Sequence, residues 1–230
     1  MTKLWNKCLY ALFIMVVGVG CCQAQKSASL TSTQASSGLK EALSRSITTA
    51  VTETGKPGGF ESNPLIKIGM PDRLKTIEKG LRAIGMGSQV DKFEHSMNAA
   101  AEQAAPASKS IFMQALKSMT FDDAVKIVTG GNTAGTEYFK RTTSAQVSDA
   151  FRPIIVKAMA SNGVTDKYDA LMKSAPQLPF AKAPSVDINS YVLDKSVGGL
   201  FTMMAEEEKK IRTNPAAQVT PLLRTVFGKL

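Results

Sequence analysis

Histidine, cysteine and tryptophan are scarce in this chain of 230 residues, which contains one histidine, three cysteines and one tryptophan. The cysteines, Cys8, Cys21 and Cys22, all lie near the amino terminus. The rest of the chain therefore has no thiol chemistry, no disulfide and no cysteine ligand for a metal. Because His95 is the only histidine, a site with several histidine ligands is excluded, and a Ser-His-Asp arrangement would have to use this residue.

Motifs for catalysis and phosphate binding are missing as well. No partner motif accompanies His95, which favours a structural histidine on or near the surface. The glycines of "KPGGF" (residues 56–60) follow no strand and precede no Lys-Ser/Thr pair, so we interpret them as a turn. Those of "GGNTAGTEYFKR" (residues 130–141) precede a helix start, which is a weak sign of an anion site, but a turn between helices explains them better. We expect no catalytic residues, no metal and no cofactor, although carboxylate-only metal sites and Ser-Lys dyads stay open.

The amino terminus has the pattern of an export signal. Lys3 and Lys7 precede an uncharged apolar run over residues 9–20, which is shorter than the roughly 20 residues of a spanning helix. Cleavage after Ala24 would place two small residues, Ala24 and Cys22, at the positions that signal cleavage prefers. We therefore expect export to the periplasm or cell envelope with a signal peptide of residues 1–24. A lipoprotein anchored at Cys22, or at Cys21, is the alternative.

The remaining chain divides into a short leader and one domain. Residues 25–37 are rich in serine and threonine and have little apolar mass, so we expect a flexible leader. Residues 38–230 are expected to form a single helical domain. The net charge of +9, or +7 once Lys3 and Lys7 are removed, is scattered along the chain. It favours a soluble basic surface, with an envelope protein or an anionic lipid surface as partner rather than nucleic acid.

Helix signals recur throughout that domain, and no segment alternates over the length of a strand. Residues 64–70 ("PLIKIGM") are the one strand candidate, which we interpret as an extended loop. The start signals of five helices are Pro71, Ser88 with Asp91, Thr120 with Asp123, Thr143 with Gln146, and Asp187. Pro153 is expected to kink the helix that starts at Thr143. The prediction is an all-α bundle of about nine or ten helices with one long C-terminal helix.

That C-terminal helix, from Asp187 to about Arg212, is expected to be the longest. It contains Gly198 and Gly199, a pair that weakens a helix by about 2 kcal/mol relative to two alanines. Gly199 lies near the apolar stripe, so its missing side chain should let another helix approach closely. The first helix, with Leu39 and Val51 on its apolar face, is the best candidate.

The densest polar run, "AEEEKKIRTNP" (residues 205–215), is the one candidate site. A solvated helix end with acid–base pairs three or four residues apart explains it well. The alternative is a charged rim for a partner or ligand, formed by Glu206, Glu207, Glu208, Lys209, Lys210 and Arg212.

Several segments together resemble one bacterial family of exported proteins, catalogued as domain of unknown function 4197. They are "GLKEAL", "NPLIKIGMPDRLKTIEKGLRAIGMG", "VDKFEHSMNAAAEQAAP", "FDDAVKIVTGGNTAGTEYF" and "GGLFTMMAEEEKKIRTNPAA". The resemblance covers about residues 38–228 and implies an exported helical domain. It implies no activity and no functional residues.

These observations favour a non-enzymatic envelope protein that binds a partner or an envelope component. A carrier of an apolar or lipid ligand is the second hypothesis, because the eleven methionines and many short helices suit an adaptable cavity. An unrecognised hydrolase is the third, and a deep cleft that gathers Glu206, Glu207, His95 or Arg141 would support it.

The processing of the amino terminus gives the first prediction. We expect the intact mass of the protein, purified from the envelope of its own host, to correspond to a chain that begins at Gln25. A mass that includes a diacylglyceryl group on Cys21 or Cys22 would contradict this and would identify a lipoprotein.

Overall fold

The computed structural model describes residues 32–174 and 186–228, and all regular structure in these residues is helical. The α-helices are α1 (Ser32–Gly55), α2 (Lys75–Ala83), α3 (Gly87–Ala104), α4 (Ser108–Ser118), α5 (Phe121–Val128), α6 (Ala134–Ser161), α7 (Val164–Ser174), α8 (Ile188–Thr213) and α9 (Pro221–Phe227). The predicted all-α bundle is confirmed. Eight of these helices have at least eight residues and α9 has seven, so the predicted number of about nine or ten is slightly high.

Helix α1 lies at the centre of the bundle. It packs against α8 most extensively and also against α3, α4, α5 and α9. Its apolar face, which includes Leu39, Leu43 and Ile47, is fully buried, as the helical period predicted. Helix α1 begins at Ser32, so residues 32–37 of the expected flexible leader are helical.

The core around α1 is filled with large apolar side chains. Phe60, Phe93, Phe112, Phe139 and Phe151 are completely buried. The rings of Phe112 and Phe139, and those of Phe112 and Phe201, meet edge to face with centroids 5.9 and 5.6 Å apart. Methionines fill gaps between the helices; those buried in the core are Met70, Met97, Met119, Met159 and Met204.

Several helix ends agree with the sequence, whereas the start of α3 does not. The side chain of Asp187 accepts a hydrogen bond from the Ser190 backbone, and Thr120 forms the predicted capping box with Asp123. Gly85 ends α2 with a φ of 84°. The capping box expected at Ser88 and Asp91 is absent, because α3 already begins at Gly87 with Met86 as its N-cap. Asp91 instead binds Arg82 of α2.

Helix α6 differs most from its prediction. It starts at Ala134, nine residues before Thr143, and with 28 residues it is longer than α8, which has 26. The Thr143 hydroxyl donates to the carbonyl of Phe139 within the helix, so it is not a cap. The helix continues through Pro153, whose side chain is exposed. The reason for the early start lies in a distant carboxylate, described below.

Residues 64–70, predicted as an extended loop, begin with a turn at residues 64–66, and only residues 67–70 are without turn or helix. Side chains rather than a neighbouring strand hold residues 67–70. The Asn98 amide accepts from the Ile68 N–H and donates to the Ile68 carbonyl, both at 2.8 Å. Glu94 accepts from the Met70 N–H at 2.9 Å, and the Tyr191 hydroxyl donates to the Gly69 carbonyl at 2.9 Å. Burial raises the pKa of Glu94, against the opposing effect of the Met70 N–H. Helices α3 and α8 thus fix the path of this segment.

The two central glycines of α8 have different surroundings. A Cβ atom on Gly199 would lie 2.7 Å from Cε1 of Phe60 and 3.2 Å from Cβ of Ile66. The predicted close approach at Gly199 is therefore present, but the neighbour is the loop segment of residues 60–66 and not α1. A Cβ atom on Gly198 would meet nothing within 4 Å.

Some sequence-based expectations lie outside the described residues. These are the signal peptide with Ala24, Cys21 and Cys22, and most of the proline-rich stretch between α7 and α8. Within residues 32–174 and 186–228, no helix combines the length and the apolar character needed to cross a membrane.

The glycine pair gives a matched test of packing. We expect Gly199→Leu to lower the free energy of unfolding by about 1–3 kcal/mol, because the added side chain overlaps the buried ring of Phe60. Gly198→Leu should be neutral or stabilising, because leucine favours a helix over glycine by up to about 1 kcal/mol and this site is open. Urea unfolding measures both. Equal losses from the two variants would contradict the packing described here.

Candidate functional site

The six residues of the predicted charged rim do not form one surface. Glu206, Lys209 and Lys210 are exposed, whereas Glu208 and Arg212 are buried. Glu207 is partly buried and lies 3.7 Å from Lys210. The predicted pairing of Glu208 with Arg212 is present as a buried ion pair, and this pair is the part of the run that shapes a site.

The carboxylate of Glu208 binds the first turn of α6. One oxygen accepts from the Gly135 N–H at 2.9 Å, and the other accepts from the Thr136 N–H at 2.7 Å and the Thr136 hydroxyl at 2.8 Å. Free backbone N–H groups at a helix start favour an anion. The glycine pattern before α6 therefore marks both a turn and an anion site, and the anion is a side chain of the same protein.

Gly135 makes this contact possible. A Cβ atom at this position would lie 2.3 Å from Cδ2 of Leu43 and 3.0 Å from a carboxylate oxygen of Glu208. Any side chain here would separate α6 from both α1 and α8. The close approach of the three helices thus depends on glycine at this point.

Arg212 is held rigidly by the same carboxylate. Its Nε donates to Glu208 at 3.0 Å, and Nη2 lies 2.9 Å from the same carboxylate oxygen while it donates to the Ile127 carbonyl at 3.0 Å. The guanidinium lies 5.3 Å from the centre of the Phe227 ring. The side chain is only 5% exposed. Its third nitrogen, Nη1, has no hydrogen-bond partner among the described residues.

Arg212 lines a cleft of about 600 Å³ between the α5–α6 turn and the segment that runs from the end of α8 to Gly228. Asn132 and Thr129 lie on the turn side, and Thr213, Gln218 and Phe227 lie on the other. We call this the C-terminal cleft. Its volume falls in the range of about 300–1,000 Å³ that is usual for small-molecule sites. Gln218 is buried and donates through Nε2 to the Ile211 carbonyl at 3.2 Å, so this wall is fixed as well.

The residues that would support a hydrolase are not part of the C-terminal cleft. His95 is exposed and pairs with Glu61 on another part of the surface, and Arg141 lies over the ring of Tyr138 at 5.7 Å. The cleft is lined by neither of them, nor by Glu206 or Glu207. In the part of the chain that the structure describes, no three histidine or acidic side chains are grouped as a metal site. What the cleft offers is a set of fixed hydrogen-bonding groups beside an aromatic ring.

Sequence reasoning missed a second internal anion site. The "KPGGF" segment is a turn, as predicted, and its backbone surrounds the carboxylate of Glu102. The N–H groups of Gly58, Phe60 and Glu61 donate to Glu102 at 3.1, 3.0 and 3.3 Å. The signal in the sequence was glycine, since Gly58 has a φ of 77°, but nothing there pointed to an acid more than forty positions away.

The buried carboxylate gives a prediction for stability. Glu208→Ala should lower the free energy of unfolding by about 3–5 kcal/mol, because it leaves Arg212 buried without its partner and the first turn of α6 without an acceptor. Glu206→Ala, on the exposed face of the same helix, should change it by less than about 0.5 kcal/mol. Urea unfolding of both variants measures the difference. Similar effects would contradict the assigned role of Glu208.

Comparison with known proteins gives one match. Neither a search of curated proteins nor a search of solved structures found a similar protein. A family model, described as "Protein of unknown function (DUF4197)", matches residues 29–228, which is most of the chain. The resemblance noted in the sequence is confirmed, and the chain belongs to the DUF4197 family.

Proposed function

We propose that this protein is a non-enzymatic binding module of the cell envelope, and that its ligand site is the C-terminal cleft. The observation that carries this proposal is the fixed guanidinium of Arg212 in the wall of the cleft. Export is supported by the signal pattern of residues 1–24.

A fixed guanidinium is well suited to recognition. Glu208, the Ile127 carbonyl and the Phe227 ring hold it on three sides, so a ligand does not have to order a flexible arginine. Nη1 donates to none of the described residues, which leaves it as a donor for a ligand oxygen. Because Glu208 neutralises the charge of Arg212, the site favours a neutral or singly charged acceptor, such as a carbonyl or carboxylate, over a polyanion.

The surroundings of the guanidinium favour binding over catalysis. The hydroxyls of Thr129 and Thr213 donate to carbonyls of their own helices, and among the residues that the structure describes no histidine or lysine lines the cleft as a base for them. Asn132 and Gln218 add amide groups for orientation. The packing of methionines such as Met97 and Met159 into the core also counts against a carrier with a large apolar cavity.

Native mass spectrometry tests the proposal on protein purified from the envelope of its own host. We expect a small polar molecule to accompany the wild-type protein. Asn132→Trp, which places a large ring at the exposed edge of the cleft, should lose that molecule and remain folded. The matched control is Gln114→Trp on the exposed face of α4, which should retain it. Wild-type protein without a bound molecule, or equal retention by both variants, would contradict the proposal.

A further inference from the structure

A second cleft lies on a different part of the molecule. It is an open groove of about 500 Å³ between the residue 65–67 segment, α6 and the middle of α8. Three lysines line it, Lys67, Lys140 and Lys195, together with one acid, Asp194. We call it the lysine groove. It shares no lining residue with the C-terminal cleft.

Acids lie near two lysines of this groove, Asp72 near Lys195 and Glu94 near Lys67, but these acids are paired with Lys75 and Arg82 instead. In the part of the chain that the structure describes, none of the three lysines forms an ion pair. The ammonium of Lys195 lies over the Tyr191 ring at 5.6 Å, which orients it without removing its charge. Three lysines against one aspartate leave the groove positive. Such a surface attracts an anion, and phosphate is an anion that lysine binds well as a point charge.

Gly198 forms part of the groove, and the fold itself does not require a glycine there. Its neighbour Gly199 is needed for close packing against Phe60, but a Cβ atom on Gly198 would meet nothing within 4 Å. Glycine in a helix interior is less favourable for helix stability than alanine. Because nothing would contact a Cβ atom at position 198, close packing does not explain the glycine there. A bare backbone in the groove has the advantage that a ligand can approach it closely.

The edge of the groove carries an exposed leucine. Leu65 is 65% exposed, and its backbone N–H is fixed by a 3.0 Å hydrogen bond to the side chain of Asn63. An apolar side chain beside unpaired lysines is the arrangement of a surface that meets an anionic membrane. The lysines attract the headgroups and the apolar group enters the interface. A site for a soluble phosphate compound gains nothing from Leu65.

We propose that the lysine groove docks this protein on an anionic lipid membrane. A headgroup phosphate enters the groove between Lys67, Lys140 and Lys195 against the backbone of Gly198, and Leu65 inserts beside it. This docking surface is independent of the ligand proposed for the C-terminal cleft.

Co-sedimentation with lipid vesicles tests the proposal on the mature chain. We expect binding to vesicles that contain phosphatidylglycerol, little binding to pure phosphatidylcholine vesicles, and a decrease as salt screens the charges. The triple variant Lys67→Gln/Lys140→Gln/Lys195→Gln should bind on the order of 100-fold more weakly, at the usual contribution of a lysine near an anionic surface.

A matched triple variant separates the groove from net charge. Lys79→Gln/Lys92→Gln/Lys109→Gln removes the same charge from exposed positions outside the groove and should weaken binding by less than about tenfold. Gly198→Leu should melt no lower than the wild type and yet lose most of its binding, because its side chain occupies the groove. Leu65→Ser should weaken binding with all charges intact.

Three results would overturn the proposal. The first is an equal loss in the two triple variants, which would indicate diffuse attraction by net charge. The second is wild-type protein that binds neutral vesicles as well as anionic ones, or binds neither. The third is displacement from vesicles by soluble glycerol phosphate, which would identify a free phosphate compound as the ligand. Asn132→Trp should leave vesicle binding unchanged, so failure of the C-terminal cleft proposal is recognised separately.

Discussion

The carboxylate of Glu208 is the interaction on which the C-terminal half of this fold depends. It joins the C-terminal part of α8 to the first turn of α6 and, through Arg212, to the carbonyl end of α5 and to the Phe227 ring of α9. Both carboxylate oxygens accept hydrogen bonds from several donors. A buried ion pair is tolerated when its hydrogen-bonding groups are satisfied in this way. Removal of either partner would leave a bare charge among four helices. The same contacts shape the wall of the C-terminal cleft. The hydrogen bonds of Glu208 and Arg212 therefore both stabilise the fold and position the proposed binding site.

Side chains also replace regular backbone pairing elsewhere in the molecule. Glu102 accepts three N–H groups from the turn after α1, and Asn98 pairs with both polar groups of Ile68. A backbone that leaves its helix must still satisfy its donors and acceptors when it is buried. Helix α3 does this for the connection between α1 and α2, which otherwise has no partner strand. The fixed course of this connection places Ile66 against Gly199 and leaves Leu65 exposed beside the lysine groove.

Local signals predicted the parts of the fold that local physics determines. The all-α class, the caps at Thr120 and Asp187, and the end of α2 at Gly85 follow from residues within a few positions of one another. The start of α6 did not follow, because the acceptor for its first N–H groups is 72 and 73 positions away in Glu208. The capping pattern at Ser88 was misleading although its residues are present, because α3 already begins at Gly87 and Asp91 binds Arg82 of α2. The polar run of α8 was identified as a candidate site, yet only the helix packing shows that Glu208 and Arg212 face inward.

Which charged side chains are paired and which are not says more about function than the net charge of +9 does. Inside the protein, Glu208 pairs with Arg212, and Glu102 accepts hydrogen bonds from backbone N–H groups, so both buried acids have their partners within the fold. Scattered lysines on a surface would give only a general attraction for anions. The lysine groove differs because it gathers ammonium groups that form no ion pair with any described residue around a glycine that no packing contact requires. The two adjacent glycines of α8 thus have different roles. Gly199 allows the core to pack closely against the loop of residues 60–66, whereas Gly198 leaves the helix backbone accessible from the protein surface.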